Sequence, residues 1–234
     1  MTPSTRTRPR PPVRLVHLGL GAFHRAHQVW FTERADPDWG IAAFTGRTSG
    51  AADALTAQDT VYTLVERSAR ADELRLMESI VEARPGDDVP RLCELTARPE
   101  VAAITLTVTE AGYHLADGRL DIDSPAVQAD IDALRTGSRP RTAPGRLLAA
   151  LDARRRANLS GVAVVPCDNL RANGRTLRAI MEELSQAVDT GLGDWIGAEV
   201  AFVDTVVDRI TPPASPEDRD TSAGGPGSPT AVRC

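Results

Sequence analysis

The stretch that most limits what this chain can become is residues 15–28, LVHLGLGAFHRAHQ. It begins inside an apolar run, Val13 to Leu18, turns through Gly19 and Gly21, and continues into Phe23, His24 and Arg25. Residues 26–34 then suit a helix with Val29, Trp30 and Phe31 available to a core. A strand, a glycine turn and a helix in that order bring backbone N–H groups and a positive dipole end to one point, which suits a phosphate. Gly19 permits the tight turn, and Gly21 leaves no Cβ between the backbone and a diphosphate. The third glycine of the dinucleotide fingerprint is missing, because His24 stands two residues after Ala22. The case for a nucleotide therefore rests on the flanking strand and helix more than on the glycines.

The next apolar run, residues 41–45, follows the glycine turn at about the 20 residues expected between the first two strands of a dinucleotide fold. An acidic residue at that strand end usually holds the ribose 2′-hydroxyl; here Arg47 stands there, and the nearest later carboxylate is Asp53. Arg47 either accommodates a 2′-phosphate or is simply solvated. Residues 61–66 and 74–83 read as a strand pair around a polar turn at 68–72, with Leu74, Leu76 and Ile80 on one face at period two. Residues 89–97 suit a helix. Residues 101–108 are β-branched and apolar, as in a buried central strand, and end on Thr109 and Glu110. Ser124 with Pro125 and Thr142 with Pro144 mark two helix starts. Residues 161–166 form another buried strand, followed at once by Cys167, Asp168 and Asn169. Asn173 is placed to cap a helix that turns Leu177, Ile180, Met181, Leu184 and Val188 inward, and residues 201–207 are a last apolar stretch closing on Asp208 and Arg209.

Strands alternating with helical patterns predict a mainly parallel, doubly wound α/β sheet with an added antiparallel strand pair. Residues 1–12, rich in proline and arginine, read as a disordered lead-in, 13–212 as one dinucleotide-binding domain, and 213–234 as a disordered low-complexity tail. A net charge of −5 with scattered basic residues speaks against a nucleic-acid partner. No apolar run approaches the ~20 residues needed to span a bilayer, and residues 1–12, with Arg6, Arg8 and Arg10, lack the apolar segment expected of a secretory signal. Cys93, Cys167 and Cys234 are odd in number and far apart, which suggests neither disulfides nor zinc and suits a reducing cytoplasm. All 27 basic residues are arginine. No step in this stretch can use a lysine amine, and arginine is too basic to replace it as a proton acceptor.

Glu110, Asp168, Asn169 and Asp208 all stand at expected strand ends, where open α/β sheets bind ligands. They are either a substrate-facing cluster or ordinary caps of the following turns. His24 and His27, three apart, lack a third ligand at a useful spacing, so no metal is expected. His24 is expected near a cofactor phosphate, His27 in packing or capping, and His17 as a core histidine. Arg25 either reaches a phosphate or ties the helix down.

Five blocks carry a resemblance: GLGAFHRAHQ, LTVTEAGYHL at 106–115, RTAPGRLLAAL at 141–151, PCDNLRANG at 166–174 and DTVVDRITP at 204–212. In this order they resemble the mannitol dehydrogenase family of long-chain polyol and hexuronate oxidoreductases. The resemblance implies a metal-independent, NAD(P)-dependent enzyme with an N-terminal Rossmann-like domain. It also implies a helical C-terminal domain bearing a catalytic lysine in a K-x-x-x-x-N-x-x-H pattern, which these residues do not contain. By carry-over, Gly19, Leu20, Gly21, Ala22, Phe23, His24, Arg25 and Arg47 would line the cofactor. Asn169 would donate to the developing alkoxide, bordered by Glu110 and Asp208, with the general base absent. NAD is the expected cofactor, with NADP as the alternative. The sugar alcohol, ketose or hexuronate would bind only if the missing lobe were supplied, and an exposed apolar patch would favour self-association. Two readings stay open: the cofactor half of such an oxidoreductase, or a non-catalytic nucleotide-binding module, whether a truncated product or a subunit completed by another chain.

Overall fold

The computed structural model describes residues 6–67, 72–207, 210–211 and 232–233. The chain forms two compact units, residues 1–85 with 208–234 and residues 86–207. The first runs β1 (Val13–Leu18), α1 (Ala22–Ala26), α2 (Gln28–Ala35), β2 (Gly40–Phe44), α3 (Gly50–Thr56), β3 (Tyr62–Arg67), β4 (Asp72–Met77) and β5 (Ile80–Arg84). β1 pairs in parallel with β2, and β2 in parallel with β5, in register Val16↔Ala42 and Ala43↔Ala83. All five β2 residues are buried, as an apolar run between two parallel neighbours requires. β3 and β4 form the expected antiparallel pair, Tyr62 opposite Met77. Leu20, Ala26, Val29, Ile41, Leu55, Tyr62, Leu64 and Ile80 close one core, each large side chain contributing about 2 kcal/mol by leaving water.

Two expectations are corrected here. The single strand expected over 74–83 is two, leaving Leu74 exposed and Ile80 buried in different sheets. The divider is Glu33 on α2, whose Oε2 accepts from the backbone N–H groups of Glu78 (3.1 Å) and Ser79 (2.8 Å) and from the Ser79 hydroxyl (2.7 Å). Those amides are thereby withdrawn from any ladder. The polar turn lies outside the described residues except Asp72. The second correction concerns residues 6–12, which are docked rather than disordered. Arg6 donates to Glu78 O and Thr60 Oγ1, while Thr7 and Arg8 donate to the Glu78 carboxylate and Arg8 pairs with Glu33. Burial alone would raise the Glu78 pKa; the bonds from Thr7 and Arg8 hold it below the ordinary glutamate value.

The second unit runs α4 (Val89–Thr96), β6 (Ala103–Leu106), a 3₁₀ turn (Glu110–Tyr113), β7 (Leu115–Ala116), β8 (Arg119–Leu120), α5 (Pro125–Thr136), α6 (Ala143–Arg156), β9 (Ala163–Pro166), α7 (Asn173–Val188), α8 (Thr190–Glu199) and β10 (Ala201–Phe202). β9 lies between β6 and β10, parallel to both. The anticipated caps are in place: the Ser124 hydroxyl receives Val127 N–H at 3.4 Å and the Thr142 hydroxyl receives Gly145 N–H at 3.0 Å. α8 has no counterpart among the expected elements, its Gly191, Gly193 and Gly197 being poor helix formers; Asp189 caps it and Leu192 and Ile196 bury it. The 201–207 stretch yields only the two residues of β10. Of the tail expected over 213–234, a two-residue strand, β11 (Val232–Arg233), is described and pairs in parallel with Leu64 and Val65.

Candidate functional site

The glycine turn is pinned from β2: the N–H groups of Gly19 and Leu20 both donate to Phe44 O, at 2.9 and 2.8 Å. Gly19 has φ +107°, a region closed to residues with a Cβ. Gly21 is different. A Cβ there would meet only Gly19 O, at 3.6 Å, so the space before it is open. The turn thus fits the demands of a dinucleotide diphosphate, which needs close backbone approach. The helix expected over 26–34 begins earlier and is broken. His27 (φ −111°, ψ −81°) separates five-residue α1 from α2, and its ring stacks on Phe23 and meets Phe31 edge-on, both at 5.0 Å.

His24 does not face the turn's outer side. It is fully buried, its ring stacked on His17 at 3.4 Å with planes 10° apart. Burial lowers the His17 pKa to about 3, against a partial opposing bond to the Gly19 backbone. Burial and then His17 hold His24 well below the ordinary histidine value. Both rings are neutral at physiological pH. His24 therefore supports the turn from inside, and its place near a phosphate is corrected.

Arg25 stands beside the turn. Its Nε donates to Gly21 O at 3.2 Å, its own carbonyl accepts from the Tyr62 hydroxyl at 2.5 Å, and its guanidinium lies 5.8 Å from the Tyr62 ring centre. Its Nη groups have no partner among the described residues. Burial lowers its pKa, against an opposing pull from Tyr62, and the guanidinium keeps its charge as arginine does in proteins. Ala22 is exposed and Phe23 half-buried. Arg47, after β2, is exposed and without a partner among the described residues, while Asp53 accepts from Ser49 Oγ at 2.7 Å.

In the second unit, the ends of β6 and β9 carry a cluster. Cys167 N–H donates to Leu106 O at 2.7 Å, continuing the ladder past Pro166. Buried Tyr113 donates its hydroxyl to Asp168 Oδ2, and Asp168 Oδ1 receives Leu170 N–H at 3.1 Å. Burial and then Asp168 push the Tyr113 pKa far up. Asn169 is exposed beside this pair, its amide uncommitted among the described residues, and Glu110 is exposed at the start of the 3₁₀ turn. Asp208 lies outside the described residues. Asn173 is not the cap expected of it but the first residue of α7. Ala172 (φ +53°) takes the cap position, and Asn173 Nδ2 donates to Pro166 O and Asp168 O at 3.2 Å and to Thr205 Oγ1 at 3.0 Å, while Oδ1 accepts from Thr205 N–H at 2.9 Å. The Tyr113–Asp168 pair spans 55 residues and leaves no local pattern, so sequence reasoning missed Tyr113. Among the described residues no group of His, Cys, Asp and Glu could hold a metal, and no helix is long and apolar enough to cross a membrane.

The comparisons agree with this geometry. The chain is 38% identical to D-mannonate oxidoreductase of Escherichia coli (strain K12) and 36% identical to mannitol 2-dehydrogenase of Cereibacter sphaeroides, in each case over 94% of this chain and 48% of the relative. Among solved structures, Pseudomonas fluorescens mannitol 2-dehydrogenase in ternary complex with NAD and D-mannitol superposes with a TM-score of 0.87 at 31% identity, over 99% of this chain and 49% of that one. A D-sorbitol dehydrogenase in substrate-free form gives 0.86 at 28%. The chain spans about half the length of the curated relatives it matches. The family model for the mannitol dehydrogenase Rossmann domain matches residues 13–224, and the chain belongs to the mannitol dehydrogenase family.

Proposed function

We propose that these residues form the NAD-binding half of a cytoplasmic polyol or hexuronate oxidoreductase. The observation that carries the reading is the turn pinned to Phe44 O, with Gly19 in a glycine-only conformation and the Arg25 guanidinium beside Gly21. The backbone of Gly19, Leu20, Gly21 and Ala22 and the charge of Arg25 would hold the diphosphate. Bound nicotinamide would supply the hydride acceptor or donor. Asn169 would give its free amide N–H to an alkoxide developing on a sugar carbon, with Glu110 and Asp208 bordering it. The exposed Arg47 supports NADP as an alternative cofactor.

No lysine occurs in these residues, so none can take the alcohol's proton as an amine base. The 234-residue chain by itself is expected to bind dinucleotide without turning over mannitol or fructose. Fluorescence titration with NADH and NADPH, paired with a turnover assay, tests both halves. Absent NADH binding sinks the cradle; turnover by the chain alone sinks the missing-base argument.

A second reading is a non-catalytic binding module. Val203 and Val206, the latter 93% exposed, favour a surface that seeks cover, by another lobe or by a second copy. Sizing chromatography across concentrations tests self-association; a monomer throughout counts against it.

A further inference from the structure

The hairpin of β3 and β4 belongs to a different sheet from β1, β2 and β5, yet one of its side chains reaches the helix that follows the glycine turn. Tyr62 is fully buried, opposite Met77 in the hairpin and in the same core as Leu20 and Ala26. Its hydroxyl donates to the Arg25 carbonyl at 2.5 Å, and its ring lies 5.8 Å from the Arg25 guanidinium. Arg25 in turn donates to Gly21 O twice, from its backbone N–H at 3.3 Å and from Nε at 3.2 Å. A continuous chain of contacts therefore runs from Tyr62 through Arg25 to Gly21. At its end the guanidinium keeps its Nη edge unpartnered among the described residues.

We propose that Tyr62 is a positioning residue for the dinucleotide diphosphate, fixing the main chain and guanidinium of Arg25 so that the Nη edge stands ready beside Gly21. A guanidinium with a solvated backbone and free torsions would lose entropy on meeting a phosphate; one held at its carbonyl, its Nε and its face has already lost it. The proposal rests on the cradle reading above. It adds that the hairpin tunes affinity for the phosphate-bearing part of the ligand and leaves the nucleoside untouched.

The test compares wild type, Tyr62→Phe, Arg25→Gln and the double variant, all checked for an unchanged thermal midpoint, for binding of NADH, ADP and adenosine. Removing one hydroxyl bond should weaken NADH and ADP by roughly fivefold, leave adenosine unchanged, and add nothing further in the Arg25→Gln background. Arg25→Gln, at a half-buried position, reads the far end of the same chain of contacts should Tyr62→Phe fold poorly. It should lose NADH and ADP affinity by about tenfold or more and keep adenosine. NADH affinity within twofold of wild type in a well-folded Tyr62→Phe would overturn the proposal, as would the same result in Arg25→Gln or equal weakening for all three ligands. A wild type that binds no NADH would instead remove the cradle reading itself.

Discussion

The imidazoles of His17 and His24 lie face to face, 3.4 Å between centres, beneath the turn that follows β1. Both are fully buried and held neutral, with His17 titrating only near 3. In the unfolded chain each takes up a proton near 6.5, so below that value the unfolded state binds more protons and native stability falls as pH drops toward 3. We expect a loss of roughly 1 kcal/mol per pH unit from His17 across that window, with His24 adding to it in the same direction. Urea midpoints measured from neutral pH to about pH 5 check it. His24→Phe, which keeps a stackable ring, should flatten the slope; an unaltered slope would contradict the assignment.

Gly19 and Gly21 should respond differently to alanine. At φ +107° a Cβ is strained, so Gly19→Ala should cost roughly 1–3 kcal/mol in urea unfolding. Gly21→Ala meets only Gly19 O at 3.6 Å and should leave stability within about 0.5 kcal/mol. Its methyl group occupies the open space, so NADH quenching should weaken sharply while the fold persists.

Glu33→Ala should destabilise the first unit by about 3 kcal/mol, because it strands the donors of Glu78 and Ser79 and leaves Arg8 with only its bonds to Glu78 and Pro37 O. Urea unfolding monitored by tryptophan fluorescence measures it. A change below about 0.5 kcal/mol would mean that water replaces the carboxylate without cost.

With Tyr62→Phe in place, Tyr113 is the sole tyrosine. Its phenol is buried and faces the Asp168 carboxylate, so phenolate absorbance should rise only together with alkaline unfolding. An earlier rise, with circular dichroism unchanged, would place Tyr113 in water.

What could be read from the residues alone was whatever repeats locally. β1, the glycine turn, the caps at Ser124 and Thr142, and the apolar faces of α6 and α7 follow from periodicity and from short-range hydrogen bonding. The left-handed conformation of Gly19 was legible for the same reason. Glu33 stopping a strand 45 residues away, Tyr113 meeting Asp168 and His24 turning inward onto His17 are long-range pairings, set by which side chains the packed core brings together. The three glycines of α8 hid a helix that burial of Leu192 and Ile196 sustains against poor propensity.

Asn173 and Gly174 form the Asn–Gly pair of this chain, the dipeptide in which the following nitrogen most readily attacks the side-chain amide. Here Gly174 N–H is bonded to Asn173 Oδ1 at 2.9 Å, the amide nitrogen is committed to Pro166, Asp168 and Thr205, and Gly174 packs directly against the Val203 backbone. Ring closure to the succinimide would require all of these to let go together. The native fold thus slows its own chemical ageing at this bond, and the rate of deamidation becomes a clock for how often the first turn of α7 opens.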